Sequence, residues 1–257
     1  MTYAPRTPAQ RVRRGIVGTI VVLVVVVVLA VVALLFYANM VMRGERSAAI
    51  DAWENPAVSI TSTDDSIIMT PTGTASRQGL VFIPGAKVDP YAYMYKLSGI
   101  VEETGLIVVI TKPTLNLAFF DQRPLSAFID GVAGVDDWFV GGHSLGGVRA
   151  CQLADTPDAP KVSGLVLFGS YCATDLSGTT LEVLSIGGQN DGLSTPSKIA
   201  AASDNLPADT TFVEIEGLNH AGFGDYGTQS GDGVTTLTSA QQRAEITRAL
   251  RELFSVE

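Results

Sequence analysis

The sequence predicts an α/β fold, a mostly parallel central sheet with helices on both faces, preceded by one transmembrane helix. Three observations lead there. From about Gly79 onward, short apolar tracts of strand length alternate with helix-like segments. The pentapeptide Gly142-His143-Ser144-Leu145-Gly146 follows the apolar tract Trp138–Val140, where a strand can turn sharply into a helix and lift a serine above a sheet. Ahead of both, Ile16 to Met42 carries no charged residue, and most of Ile16 to Leu35 is Val, Leu, Ile or Ala.

At about 1.5 Å rise per residue, roughly 20 apolar residues cross the bilayer core, so the tract holds one span and not two. Residues 16–38 are assigned to it, with a basic tail at 1–15 and a linker at 39–55. Arg6, Arg11, Arg13 and Arg14 precede the tract with no acidic residue among them, whereas Arg43 and Arg46 after it are accompanied by Glu45, Asp51 and Glu54. That bias puts the N-terminus in the cytoplasm and the rest of a single-pass cell-membrane protein outside it. A cleaved signal peptide is the alternative, but the apolar run exceeds the usual stretch of about 7–15 residues and lacks a clean Ala-x-Ala site.

Residues 56–257 are long enough for one domain with its own core. The net charge of −9, with basic residues gathered around the anchor, leaves no basic stripe for phosphates and excludes a nucleic-acid partner. The lipid bilayer is the expected partner of the N-terminal helix; oligomeric state is not legible. Cys151 and Cys172 are the only cysteines, an even count in a compartment where disulfides persist. A bridge between them and a pair of buried thiols are both compatible with the sequence.

In chain order, Val58–Ser62 and Ser66–Thr70 read as an antiparallel pair turning at Asp64-Asp65, and Gly79–Pro84 as an apolar strand. Tyr91–Glu103 reads as helix and Leu106–Thr111 as strand. A helical connection near Leu125–Ile129 leads to Trp138–Val140, the serine turn and a helix over Leu145–Ala154. Strands follow at Val162–Phe168, Leu181–Ile186 and Thr211–Ile215, with a helix at Ser197–Ala202 before the last of them. Ser239–Phe254 closes the chain as a helix with Ile246, Leu250 and Leu253 at helical spacing. About a dozen residues separate Phe168 from Leu181, too few for a cap domain, so an open shallow site is expected.

A serine hydroxyl needs a base, and the base needs a group that orients it. Only two histidines exist. His143 stands beside Ser144 in a tight turn and points elsewhere, as a packing or hydrogen-bonding residue. His220, in the loop Gly217-Leu218-Asn219-His220-Ala221-Gly222-Phe223-Gly224 after the last strand, is the remaining imidazole. Between the two in chain order, Asp191 in Gly187-Gly188-Gln189-Asn190-Asp191-Gly192 follows a strand end, with Asp175 in reserve. Asp225 and Asp232 lie beyond His220 and read as solvated loop acids. Oxyanion donors are sought in the amide of Leu145, at a helix start, and in the loop Pro84-Gly85-Ala86-Lys87, where Ala86 is the first choice and Lys87 the register alternative. Tyr91 and Tyr93 line the entrance or pack a helix.

With these motifs the chain resembles the alpha/beta-hydrolase superfamily, and within it the small, cap-less branch of dienelactone-hydrolase-like esterases. The resemblance rests on strand–PGAK, GGHSLGG around Ser144, GGQNDG around Asp191 and GLNHAGFGDYG around His220. It implies Ser144 as nucleophile, Asp191 as orienting acid, His220 as base and the Ala86 and Leu145 amides as oxyanion donors, with no cofactor and no metal. The implied reaction is hydrolysis of a small-molecule ester through an acyl-enzyme. A thioesterase or an acyltransferase would use the same groups, and a non-catalytic membrane-tethered binding module is the alternative of another class. The chain departs from lipases in lacking a His-Gly-Gly-Gly oxyanion loop and from dienelactone hydrolases in carrying serine where they carry cysteine.

Overall fold

The computed structural model describes residues 8–156 and 162–254. Residues 1–7 of the expected tail and 255–257 of the expected domain lie outside that range. The chain divides into two units, one up to Met40 and one from Val41 onward.

The first unit is the helix α1 (Pro8–Ala38), so the stretch expected as a tail is helical from residue 8. Proline is pre-organised for a first helical turn, and the Gln and Arg residues that follow are good helix formers. Within it, Arg13–Ala38 is long and apolar enough to cross a membrane by length and composition; 26 residues span about 39 Å.

The second unit begins at Val41. Residues 39–55, read as a linker, contain the helix α2 (Arg46–Trp53), whose Ala48 and Ala52 are buried. Small residues four apart give a helix a flat stripe that can approach its neighbour closely, and no apolar run announces such a helix.

The sheet has eight strands: β1 (Val58–Ser62), β2 (Ser66–Pro71), β3 (Gln78–Ile83), β4 (Ile107–Thr111), β5 (Asp137–His143), β6 (Val162–Phe168), β7 (Glu182–Gly188) and β8 (Thr211–Ile215). Their order is β1-β2-β4-β3-β5-β6-β7-β8. β1 and β2 pair antiparallel, β2 runs antiparallel to β4, and the remaining pairs are parallel. Parallel strands need crossovers, which α3 (Met94–Thr104), α4 (Ser126–Ile129), α5 (Leu145–Ala154) and α6 (Pro196–Ala201) supply, while a loop joins β6 to β7 and α7 (Ser239–Leu250) ends the described fold.

Strand side chains alternate between two buried layers, as a pleat requires. Leu80, Phe82, Val108, Ile110, Phe139, Val166 and Phe168 join a core with α3 and α7 residues such as Leu97, Ile100, Ile246 and Leu250. Val81, Ile83, Val109, Val140, Leu165 and Leu167 join the opposite one with Phe128, Ala150 and Leu153. Both faces are therefore covered, which explains the near-continuous apolar runs of the central strands. Helix ends follow local chemistry: α3 stops at Gly105, which is left-handed at φ 73°, and α7 starts with a Thr238–Gln241 capping box. The segment from β6 to β7 holds no sizeable cap.

Cys151 of α5 and Cys172, in the loop after β6, are joined by a disulfide and buried. The bridge spans 21 residues. A closed loop of that size is worth about 3 kcal/mol in the chain-entropy account. Replacing both cysteines by alanine is expected to lower the melting temperature by roughly 6–12 °C, read by calorimetry; an unchanged melting temperature would show that the bridge contributes nothing.

Candidate active site

β5 ends in Gly141-Gly142-His143, and Ser144 turns the chain into α5 with φ 53° and ψ −122°, a conformation that non-glycine residues rarely adopt. The turn is held because the Ser144 amide donates to the Phe168 carbonyl (3.0 Å) and the Ser144 carbonyl accepts from Ser170 Oγ (2.7 Å). The tightness is why glycine recurs here. A Cβ on Gly146 would sit 2.0 Å from the Ile83 carbonyl oxygen, so the helix can approach β3 only without a side chain at that position.

The first turn of α5 leaves the Leu145 amide without an acceptor among the described residues, since a helix cannot satisfy its own first N–H groups. Opposite it lies the loop after β3. There the Gly85 amide donates to Tyr93 Oη (2.9 Å) and the Lys87 amide to the Asn116 carbonyl (2.7 Å). The intervening Ala86 amide has no acceptor among the described residues. The register alternative at Lys87 is thus occupied, while the Ala86 and Leu145 N–H groups are open among the described residues, as is that of Gly146.

His220 Nδ1 lies 2.7 Å from Asp191 Oδ2, with both side chains completely buried. The other carboxylate oxygen of Asp191 accepts from the Leu193 (2.8 Å) and Ser194 (2.7 Å) amides. The His220 ring packs against that of His143, next to Ser144, at 4.4 Å between centroids. His220 Nε2 is buried and has no hydrogen-bond partner among the described residues, Ser144 Oγ included. In resting structures such contacts are often loose and tighten when substrate binds. Ser144 is half-buried while His220 has no exposed surface, so the site is closed over His220 rather than open and shallow throughout.

A profile described as the alpha/beta hydrolase family matches residues 79–244, from β3 into α7. The chain belongs to the alpha/beta hydrolase family. Among solved structures, an alpha-beta serine hydrolase homologue from Coxiella burnetii superposes with a TM-score of 0.52 at 12% identity, over 77% of this chain and 97% of that one, a likeness of fold. No curated protein matches the sequence.

In this hydrolase, several groups do more than their sequence context indicated. Asp232, read as a solvated acid, accepts from the amides of Gly192 (3.1 Å), His220 (3.0 Å), Ala221 (2.8 Å) and Gly233 (2.7 Å), tying the loop of Asp191 to that of His220. Asp225, also read as solvated, is buried and pairs at 2.6 Å with the fully buried Lys96 of α3. Burial pulls the Lys96 ammonium below its ordinary pKa, and Asp225 acts in the opposite sense. Ser239 Oγ completes that cluster, 2.6 Å from both Lys96 Nζ and Asp225 Oδ1. Asp175, the reserve acid, instead accepts from Ser177 in an exposed loop. His143 is a buried hydrogen-bonding residue: its Nδ1 meets Tyr93 Oη at 2.9 Å, and burial, reinforced by the neighbouring His220, holds its pKa well below the usual imidazole value. Among the described residues no cluster of His, Cys, Asp and Glu is arranged to hold a metal ion.

Proposed function

We propose that the protein is a serine hydrolase of carboxylic esters, working through Ser144, His220 and Asp191 with the Ala86 and Leu145 amides as oxyanion donors. It would sit in the small, cap-less, dienelactone-hydrolase-like branch of the family, with serine as nucleophile. The observation that carries the reading is the buried His220–Asp191 pair, whose unpartnered Nε2 belongs to a ring packed beside the strained serine turn. In the reaction His220 Nε2 takes the proton of Ser144 as its oxygen attacks the ester carbonyl. The two amides receive the oxyanion, and His220 returns the proton to the departing alcohol. Water then repeats the sequence on the acyl-enzyme. Asp191 holds the imidazole in the tautomer with its proton on Nδ1 and stabilises the imidazolium.

The apolar helix is taken as a retained anchor with the N-terminus in the cytoplasm. Its uncharged length, the arginines before it and a disulfide in the domain that follows support that topology.

Exposure of the full chain to a fluorophosphonate probe tests the mechanism. The expected adduct is on Ser144, located by mass spectrometry, absent in Ser144→Ala and strongly reduced in His220→Ala. A folded protein that takes no label on Ser144 would remove the serine mechanism.

A further inference from the structure

The oxyanion loop offers three successive amides, and among the described residues only that of Ala86 is open. Tyr93 Oη accepts the Gly85 N–H, the Asn116 carbonyl accepts the Lys87 N–H, and the Lys87 carbonyl accepts from Met42 at 2.7 Å. The clamp is made at a cost in backbone geometry: Lys87, Leu115 and Asn116 have φ of 58°, 57° and 56°. Side-chain-bearing residues persist there only where surrounding contacts impose it. Of the three contacts, only the one at Gly85 is made by a side chain, and that side chain is completely buried.

Tyr93 also reaches the nucleophile's neighbour. Burial pushes its phenol well above the ordinary tyrosine pKa, so the hydroxyl keeps its proton. Its oxygen accepts from Gly85, and the acceptor in reach of its proton is His143 Nδ1, 2.9 Å away. The neutral His143 imidazole then carries its proton on Nε2. One hydroxyl thus joins the loop bearing Ala86 to the residue beside Ser144. The space is fully used: a Cβ at Gly85 would lie 2.9 Å from His143 Nδ1 and 3.2 Å from Tyr93 Oη.

We propose that Tyr93 is a positioning residue for the reaction, setting the register of the oxyanion loop so that the Ala86 amide faces the Leu145 amide. This rests on the serine-hydrolase reading above. Tyr93 does not touch substrate; it acts through Gly85 and His143. Tyr93→Phe keeps the ring against Phe82 (5.2 Å between centroids) and removes only the hydroxyl.

The test measures hydrolysis of an activated short-chain ester and inhibition by phenylboronic acid, whose tetrahedral adduct places an oxygen in the oxyanion site. The full-length protein and Tyr93→Phe are compared, with rates normalised to sites titrated by fluorophosphonate. Losing an oxyanion donor outright costs about 10²–10³ in kcat, and a misplaced one less. The expected result is therefore a fall in kcat of roughly 10- to 100-fold, KM within about threefold, and a boronate inhibition constant weakened by the same factor as kcat. A purely structural role would lower the number of titratable sites while leaving kcat per site and boronate affinity at wild-type values, and that result would overturn the proposal. A wild-type protein that neither hydrolyses an ester nor takes the probe would remove the underlying reading itself. A wild-type protein that does both, with Tyr93→Phe matching it, would remove only the role of Tyr93.

Discussion

Asp191→Asn is expected to lower kcat for ester hydrolysis by about 10⁴-fold with little change in folding, and the hydrogen bonds around the carboxylate give the reason. Asp191 Oδ1 accepts two backbone N–H groups, from Leu193 and Ser194, while Oδ2 faces His220 Nδ1. An asparagine must keep its carbonyl oxygen toward the two amides, because turning its NH2 there would oppose donor to donor. Its NH2 then points at His220 Nδ1, which becomes an acceptor, and the imidazole proton moves to Nε2. A protonated Nε2 cannot take a proton from Ser144. The substitution therefore inverts the base without emptying its place. Steady-state kinetics, with thermal melting to show a retained fold, would check it. A loss below tenfold would mean that Asp191 does not set the tautomer.

Much of this arrangement could be read from sequence because it is written in local signals. Strand tracts such as Val81–Ile83 and Leu165–Leu167 are apolar on both faces, and β4 is buried throughout. The elbow shows itself through the glycines at 141, 142, 146 and 147, which close backbone approach demands. Ser144, Asp191 and His220 could be ordered along the chain because each stands just after a strand end. What was not legible depends on closure between distant segments. Asp232 looks like any acid in a glycine-rich loop, and only the return of residues 219–233 across the Asp191 loop makes it an acceptor for four amides. Lys96 gave a faint signal, a lysine between Met94 and Leu97 on a helix that buries all three, but its partner Asp225 lies 129 residues away. For the same reason the sequence left Tyr93 between entrance and packing: its hydroxyl finds Gly85 and His143 only once the sheet has formed.

The packing of residues 41–51 yields the second strong expectation: a chain beginning at Ala52 should be far less stable and less active than one beginning at Val41. The two share every strand. The shorter chain lacks the Met42 amide bond to the Lys87 carbonyl (2.7 Å), the Asp89 bond to the Met42 carbonyl (2.9 Å) and the Glu45 bond to the Asp225 carbonyl (2.7 Å). It also lacks nearly all of α2, including the buried Ala48. At about 1 kcal/mol per backbone hydrogen bond, with the apolar burial of one short helix added, the loss is on the order of 5 kcal/mol. Domains of this kind are stable by only about 5–15 kcal/mol, so the shorter chain would stand near the edge of unfolding, with a melting temperature roughly 10–20 °C lower. Activity should fall further than stability alone dictates. Met42 holds the carbonyl of Lys87, next to the amide proposed to receive the oxyanion, and Glu45 holds the backbone of Asp225 in the loop that carries His220. The segment leading out of the apolar helix thus braces both sides of the proposed catalytic centre. Melting curves and kcat measured on the two chains side by side would decide the matter; values within about 3 °C and twofold of each other would mean that residues 41–51 are a tether and nothing more.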